Sequence, residues 1–181
     1  MRWEVRISGL GGQGIILSGY ILGKAASIFD GKYAVQTESY GPEARGSRAK
    51  SDVIISTEEI DYPYASELDV LIALSQDAYN YYKGTVKPGG TIIVDEDLVE
   101  VDSPPKNVKI FKVPATRIAS DLGRKIVANV VMLGAFSAIT KMVTFDALKK
   151  AVLDSVPRGT EELNLKALES GWTYGAKLVE G

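Results

Sequence analysis

The chain has 181 residues, 45% of them apolar and 24% charged, and its 21 basic and 23 acidic side chains leave a formal charge of −2. That balance describes an ordinary globule, with one domain expected over residues 1–181 and no basic excess of the kind nucleic-acid binders carry. Cysteine and histidine are both absent, which excludes thiolate-held iron–sulfur clusters, disulfides, Ser-His-Asp triads and His-ligated zinc within this polypeptide.

Arg2 to Ser8 alternates Trp3, Val5 and Ile7 against Arg2, Glu4 and Arg6, predicting a strand with one wetter face. This charged start is unlike a signal peptide. A glycine-rich turn follows, then a helix over Ile15 to Phe29, in which Leu17, Ile21, Ala25 and Ile28 recur at three- and four-residue steps. Asp30-Gly31 ends that helix, and Tyr33 to Thr37 reads as a second strand. A polar, glycine-bearing loop over Ser39 to Arg48 leads into a strand at Val53 to Ser56.

Val70 to Leu74 is a short, wholly apolar run, as expected for a strand covered on both faces. Asp77 to Tyr82 reads as a helix, Lys87 to Gly90 as a turn, and Thr91 to Val94 and Val108 to Val113 as strands. The remainder is helical: Ala115 to Leu122, Asn129 to Lys141, Phe145 to Ser155 capped by Thr144, and a last helix after Thr160. The most apolar stretch, Ile126 to Ile139, falls short of the roughly 20 residues that span a bilayer. It therefore reads as a core helix of a soluble, cytoplasmic protein. Alternating strands and helices predict an α/β fold: an open, mostly parallel, Rossmann-like sheet flanked by helices, with a helical C-terminal segment.

Two constellations stand out. Gly9, Gly11 and Gly14 have the G-x-G-x-x-G spacing between a strand and a helix, with Gly12 and Gln13 inside the turn. Such a turn brings backbone and a helix N-terminus up to an anion, and Glu38 then sits where a ribose-binding carboxylate is expected. The same glycines equally suit a plain crossover turn. The second constellation is the loop that carries Ser39, Tyr40, Glu43, Arg45 and Arg48. Its arginines suit phosphate or carboxylate, or they pair with Glu43 or a neighbouring subunit.

Weaker candidates are read as structural. Gly19 to Lys24 falls inside a predicted helix, which argues against a phosphate loop. Tyr62, Tyr64, Tyr79, Tyr81 and Tyr82 suit core edges or interfaces better than base stacking. Asp95-Glu96-Asp97 reads as a solvated turn rather than a cation site. Asn129 reads as a cap or a contact between elements.

Gly9 to Gly14 followed by Ser39-Tyr40-Gly41-Pro42-Glu43-Ala44-Arg45-Gly46 resembles the gamma subunit of 2-oxoacid:ferredoxin oxidoreductases. Ile60 through Tyr62-Pro63, Asn129 to Leu133-Gly134, and Glu161 to Asn164 with Ala167 extend the likeness over essentially the whole chain. One departure is Ser47, where the family commonly has a second glycine after the loop arginine. The 2-oxoglutarate branch is the most similar, with the pyruvate and ketoisovalerate branches behind it.

The resemblance implies a heteromeric enzyme that decarboxylates a 2-oxoacid, passes the acyl group to coenzyme A and sends two electrons to ferredoxin. It also implies thiamine diphosphate, magnesium and iron–sulfur clusters, all held by the other subunits, with no catalytic or metal-binding residue expected here. This chain would then shape the active site or the coenzyme A path, with no nucleic-acid or membrane partner. Two alternatives remain open at this point, a free-standing nucleotide-binding dehydrogenase and a pure assembly scaffold.

Overall fold

The computed structural model describes residues 1–40 and 47–181. Its strands are β1 (Arg2–Leu10), β2 (Tyr33–Tyr40), β3 (Arg48–Ser56), β4 (Leu68–Ala73), β5 (Val86–Asp95) and β6 (Lys109–Val113). They form one sheet in the order β2-β3-β1-β4-β5-β6. The β1–β4, β4–β5 and β5–β6 ladders are parallel, whereas β3 runs antiparallel to both β1 and β2. The expected mostly parallel α/β sheet is therefore present, with an antiparallel hairpin built onto one side.

The helices are α1 (Ile15–Lys24), α2 (Gln76–Tyr82), α3 (Ala115–Asp121), α4 (Ala128–Thr140), α5 (Phe145–Ser155) and α6 (Glu161–Glu180). One face of the sheet, presenting Val5, Ile7, Val53, Ile55, Val70 and Ile72, carries the larger core with α1, α3, α4, α5 and α6. The other face buries Leu71, Ala73, Ile92 and Val94 under Ala78, Tyr79 and Tyr82 of α2. Each fully buried aliphatic or aromatic side chain there contributes about 1.5–3 kcal/mol. No described helix is long and apolar enough to cross a membrane.

Three local expectations need correction. The helix predicted to Phe29 leaves α geometry after Lys24, and Ala25–Phe29 forms a π turn. The predicted turn at Lys87 to Gly90 lies inside β5. Leu68 pairs with Val86 but Val70 pairs with Thr91, so the extra residues bulge out of the ladder, with Gly89 at φ 87°. The predicted loop from Ser39 to Arg48 is strand at both ends, because Ser39 and Tyr40 close β2 and Arg48 opens β3, and residues 41–46 lie outside the described residues.

The wetter face expected for β1 is dry at its centre. Arg6 is only 6% exposed; its Nε and Nη2 donate to the two Asp52 carboxylate oxygens at 2.7 and 2.9 Å, and its guanidinium lies 4.6 Å from the Tyr82 ring centre. Burial pulls the Arg6 pKa down, but the hydrogen bonds and negative charge of Asp52 outweigh it and leave the pKa above its ordinary value.

Candidate functional site at the carboxyl edge of the sheet

The parallel strands end together along one edge, at Leu10, Ala73, Asp95 and Val113. Ligands of open α/β sheets bind in this position. Leu10 is in register with Arg48, so the β2–β3 hairpin reaches the same edge. Glu43 and Arg45, the two central candidates of that segment, lie outside the described residues.

The glycine turn is held closed by its own glutamine. Gln13 Oε1 accepts from the Leu10 N–H at 2.6 Å, while Nε2 donates to the Leu74 carbonyl at 2.9 Å. The Gly11 N–H donates to the Ser47 carbonyl at 3.2 Å, and the Gln13 N–H to the Leu10 carbonyl at 3.2 Å. Three amides that an open pyrophosphate cradle would use are thus already engaged. Gly12 sits at φ 92°. Gly14 is the N-cap of α1 at φ 73°, and a Cβ there would lie 2.5 Å from Asn129 Nδ2. Glycine is required at Gly14 on both counts.

Asn129 is the contact between elements that its sequence position implies. Its Nδ2 donates to the Gly14 carbonyl at 3.0 Å and its Oδ1 accepts from the Val130 N–H at 2.9 Å, fixing the start of α4 against the start of α1. Arg48 pairs with Asp77 of α2 at 2.7 Å, and its guanidinium stacks 3.6 Å from the Tyr81 ring centre. Its role is to tie the hairpin to α2. Glu38 pairs in register with Ser51, and β3 separates it from β1. The ribose-binding position expected for it beside the glycine turn is therefore not formed.

Two clefts flank the glycine turn. The first, about 360 Å³, runs between Gly12, Gln13 and Leu74 on one wall and Asp95 and Thr116 on the other, with Lys125 at its margin. The second, about 210 Å³, opens beside Gly14 and Asn129 and reaches Arg124 and the start of α6. Ile126 lines both. Thr116, Arg124 and Lys125 belong to no sequence motif, and Asp95 stands out in sequence only as part of the acidic Asp95-Glu96-Asp97 run. A pair of cations directly before the most apolar helix is the one sequence signal that marks Arg124 and Lys125.

Asp95 is not the solvated turn residue expected of it. It is fully buried, with Oδ2 accepting from the Thr116 hydroxyl at 2.6 Å and Oδ1 from the Asp97 N–H at 3.1 Å. Both oxygens are committed, and among the described residues no group of three acidic, His or Cys side chains is arranged to hold a metal ion. Burial raises the Asp95 pKa above the ordinary carboxylate value, against the opposing hydrogen bonds. The native state then retains the proton that the unfolded chain has lost. The contribution of Asp95 is most favourable at acid pH and declines as pH rises through its folded-state pKa. Asp95→Asn should remove that decline, so denaturant titrations from about pH 4 to pH 7 should show a flatter stability profile than wild type. Parallel profiles would contradict the assignment.

With this geometry in place, the comparisons identify the family. The model for pyruvate ferredoxin/flavodoxin oxidoreductase matches residues 4–174. The 2-oxoglutarate synthase subunit KorC of Methanocaldococcus jannaschii is 54% identical over 180 residues, covering 98% of this chain and 96% of that protein. The keto/oxoacid ferredoxin oxidoreductase gamma subunit of Geobacter sulfurreducens superposes with a TM-score of 0.86 at 46% identity, over 97% of this chain and 99% of that one. The 2-oxoglutarate:ferredoxin oxidoreductase of Magnetococcus marinus, solved with 2-oxoglutarate, coenzyme A and succinyl-CoA bound, gives a TM-score of 0.86 at 27% identity, over 98% of this chain and 31% of that one. The chain belongs to the pyruvate ferredoxin/flavodoxin oxidoreductase family.

Proposed function

We propose that residues 1–181 form one gamma-type domain, the gamma subunit of a cytoplasmic 2-oxoglutarate:ferredoxin oxidoreductase that makes succinyl-CoA. The observation that carries this is the 54% identity to a 2-oxoglutarate synthase subunit over nearly the full length of both chains. The chain contains no cysteine to hold an iron–sulfur cluster. The clusters are therefore assigned to the other subunits, through which ferredoxin is reduced, and the family resemblance assigns thiamine diphosphate and magnesium to them as well. The dehydrogenase alternative is disfavoured by a glycine turn in which the amides of Leu10, Gly11 and Gln13 are spent on Gln13, Ser47 and Leu10. The carboxyl edge of the sheet, with its two clefts and the cations Arg124 and Lys125, supports a role on the coenzyme A path rather than pure scaffolding.

Purifying the tagged chain from its native cell tests the reading: thiamine diphosphate and iron–sulfur subunits should accompany it in fixed proportion. Isolation of the chain alone, with dinucleotide-dependent turnover, would overturn it. Within the complex, Arg45 is proposed to contact a partner subunit or an anionic substrate group. Arg45→Ala should assemble normally yet lower kcat/KM about tenfold or more, the loss expected for one charge-assisted contact. Steady-state kinetics with coenzyme A and 2-oxoglutarate varied separately reads this; wild-type constants for both would make the segment structural.

A further inference from the structure

The two edges of the sheet differ in how they are closed. At one side β6 is five residues long and carries the exposed lysines Lys109 and Lys112. Short strands and lysines are the usual means of keeping a sheet edge from pairing further. At the other side β2 spans eight residues, Tyr33–Tyr40, without proline, and Glu38 is its one charged side chain. Its ladder to β3 runs from Tyr33↔Ser56 to Tyr40↔Ala49 without a bulge. Its outer backbone groups hydrogen-bond to no described residue. A long, regular and nearly uncharged edge of this kind is a template for another strand.

The sequence of that edge fits a second copy of itself. In an antiparallel pair, facing side chains lie on the same face of the sheet. A two-fold axis at Val35 therefore sets Val35 against the partner's Val35, Ala34 against the partner's Gln36, and Tyr33 against the partner's Thr37. It also sets Lys32, which immediately precedes β2, against the partner's Glu38. Two opposite-charge pairs and two aromatic–β-branched pairs result, each a favourable cross-strand contact. Moving the axis to Gln36 would instead set Glu38 against the partner's Ala34 and lose the charge pairs. The groups needed are available. Tyr33 and Glu38 are exposed. Lys32 Nζ donates to the Met142 carbonyl at 2.8 Å, which uses one of its three donors.

We propose that two copies of this chain join through β2, by antiparallel pairing about a two-fold axis at Val35. The two sheets become one continuous sheet. Both β1 and β2 run antiparallel to β3, so β2 has the direction of β1, which ends at the glycine turn. Opposed β2 strands therefore place the glycine turns of the two copies at opposite ends of the joined sheet. Each copy keeps its own carboxyl edge free for the other subunits. Glu38, which forms no ribose site, becomes an interface residue. The proposal holds whichever 2-oxoacid the enzyme takes.

The absence of cysteine makes the register directly testable. Val35→Cys introduces a single thiol, and at the axis two such positions face each other about 4.5–5.5 Å apart between Cα atoms, within disulfide range. Mild oxidation of the full chain, and of the assembled complex, should link two copies covalently. Ser39→Cys should not, because four residues from the axis the two thiols are more than about 20 Å apart. Sedimentation of the unmodified chain should show a dimer, weakened about tenfold by Glu38→Lys and restored by combining Lys32→Glu with Glu38→Lys. Glu38 is exposed, so its substitution leaves the fold intact. A monomer at every concentration, a dimer that Glu38→Lys leaves unchanged, or equal cross-linking by both cysteine variants overturns the proposal. So does a complex in which Val35→Cys is covered by a strand of a different subunit and forms no link between copies.

Discussion

Asp52→Ala should destabilise the chain by about 3–5 kcal/mol, because it leaves a buried guanidinium without its counter-ion. Arg6 and Asp52 are 6% and 4% exposed, and Arg6 sits between the sheet and the Tyr82 ring. Lys50 also reaches Asp52 at 3.3 Å, so the substitution strands two cations beside one another. Urea unfolding at neutral pH measures the effect. The double variant Arg6→Met with Asp52→Leu removes both charges and should recover most of the loss, since an apolar pair of similar volume often replaces a buried ion pair without cost. A single variant as stable as wild type would mean that water reaches the pair in solution.

The second large effect is expected where α4 and α6 cross. A Cβ at Gly171 would fall on the Val131 carbonyl oxygen, and one at Gly134 on the Leu168 carbonyl oxygen. Backbone atoms cannot rotate away as side-chain ends do, so the helices must separate. Gly171→Ala gains about 1 kcal/mol of helix propensity. Overpacking outweighs that gain, and a net loss of about 2 kcal/mol is expected. In a chain of this size that corresponds to a fall in Tm of roughly 4–8 °C. An unchanged or higher Tm would show that the helices pack less closely than described.

Much of the architecture was legible because hydrophobic periodicity reports burial directly. Val70 to Leu74 read as a doubly covered strand, and Leu71 and Ile72 are indeed buried under opposite helix layers. Helix α5 was legible to the residue, since Thr144 caps it by accepting from the Ala147 N–H. What failed has a common cause. Arg6 reads in sequence as part of a wetter face, but its pairing with Asp52, which Lys50 also reaches, lets polar residues occupy a sheet interior. The β2–β3 hairpin was hidden because Ser39, Arg48 and Lys50 are poor strand formers, held there by cross-strand ladders.

The site was half legible. Gly14 and Asn129 were singled out separately, and the fold joins them through one hydrogen bond across 115 positions of chain. Arg124 carries no local motif, Asp95 reads in sequence as a solvated turn residue, and Asn164 stands out only within the Glu161 to Asn164 likeness. Their meaning lies in which strand and helix ends meet, which no spacing rule in one sequence encodes.

Ferredoxin reduction by the complex purified with this chain tests the identity of the assembled enzyme most directly. The prediction is reduction that depends on both coenzyme A and 2-oxoglutarate, at a kcat/KM for 2-oxoglutarate well above that for pyruvate or 2-oxoisovalerate, and that disappears when this chain is omitted from reconstitution. Equal turnover without the chain, or a clear preference for pyruvate, would contradict it.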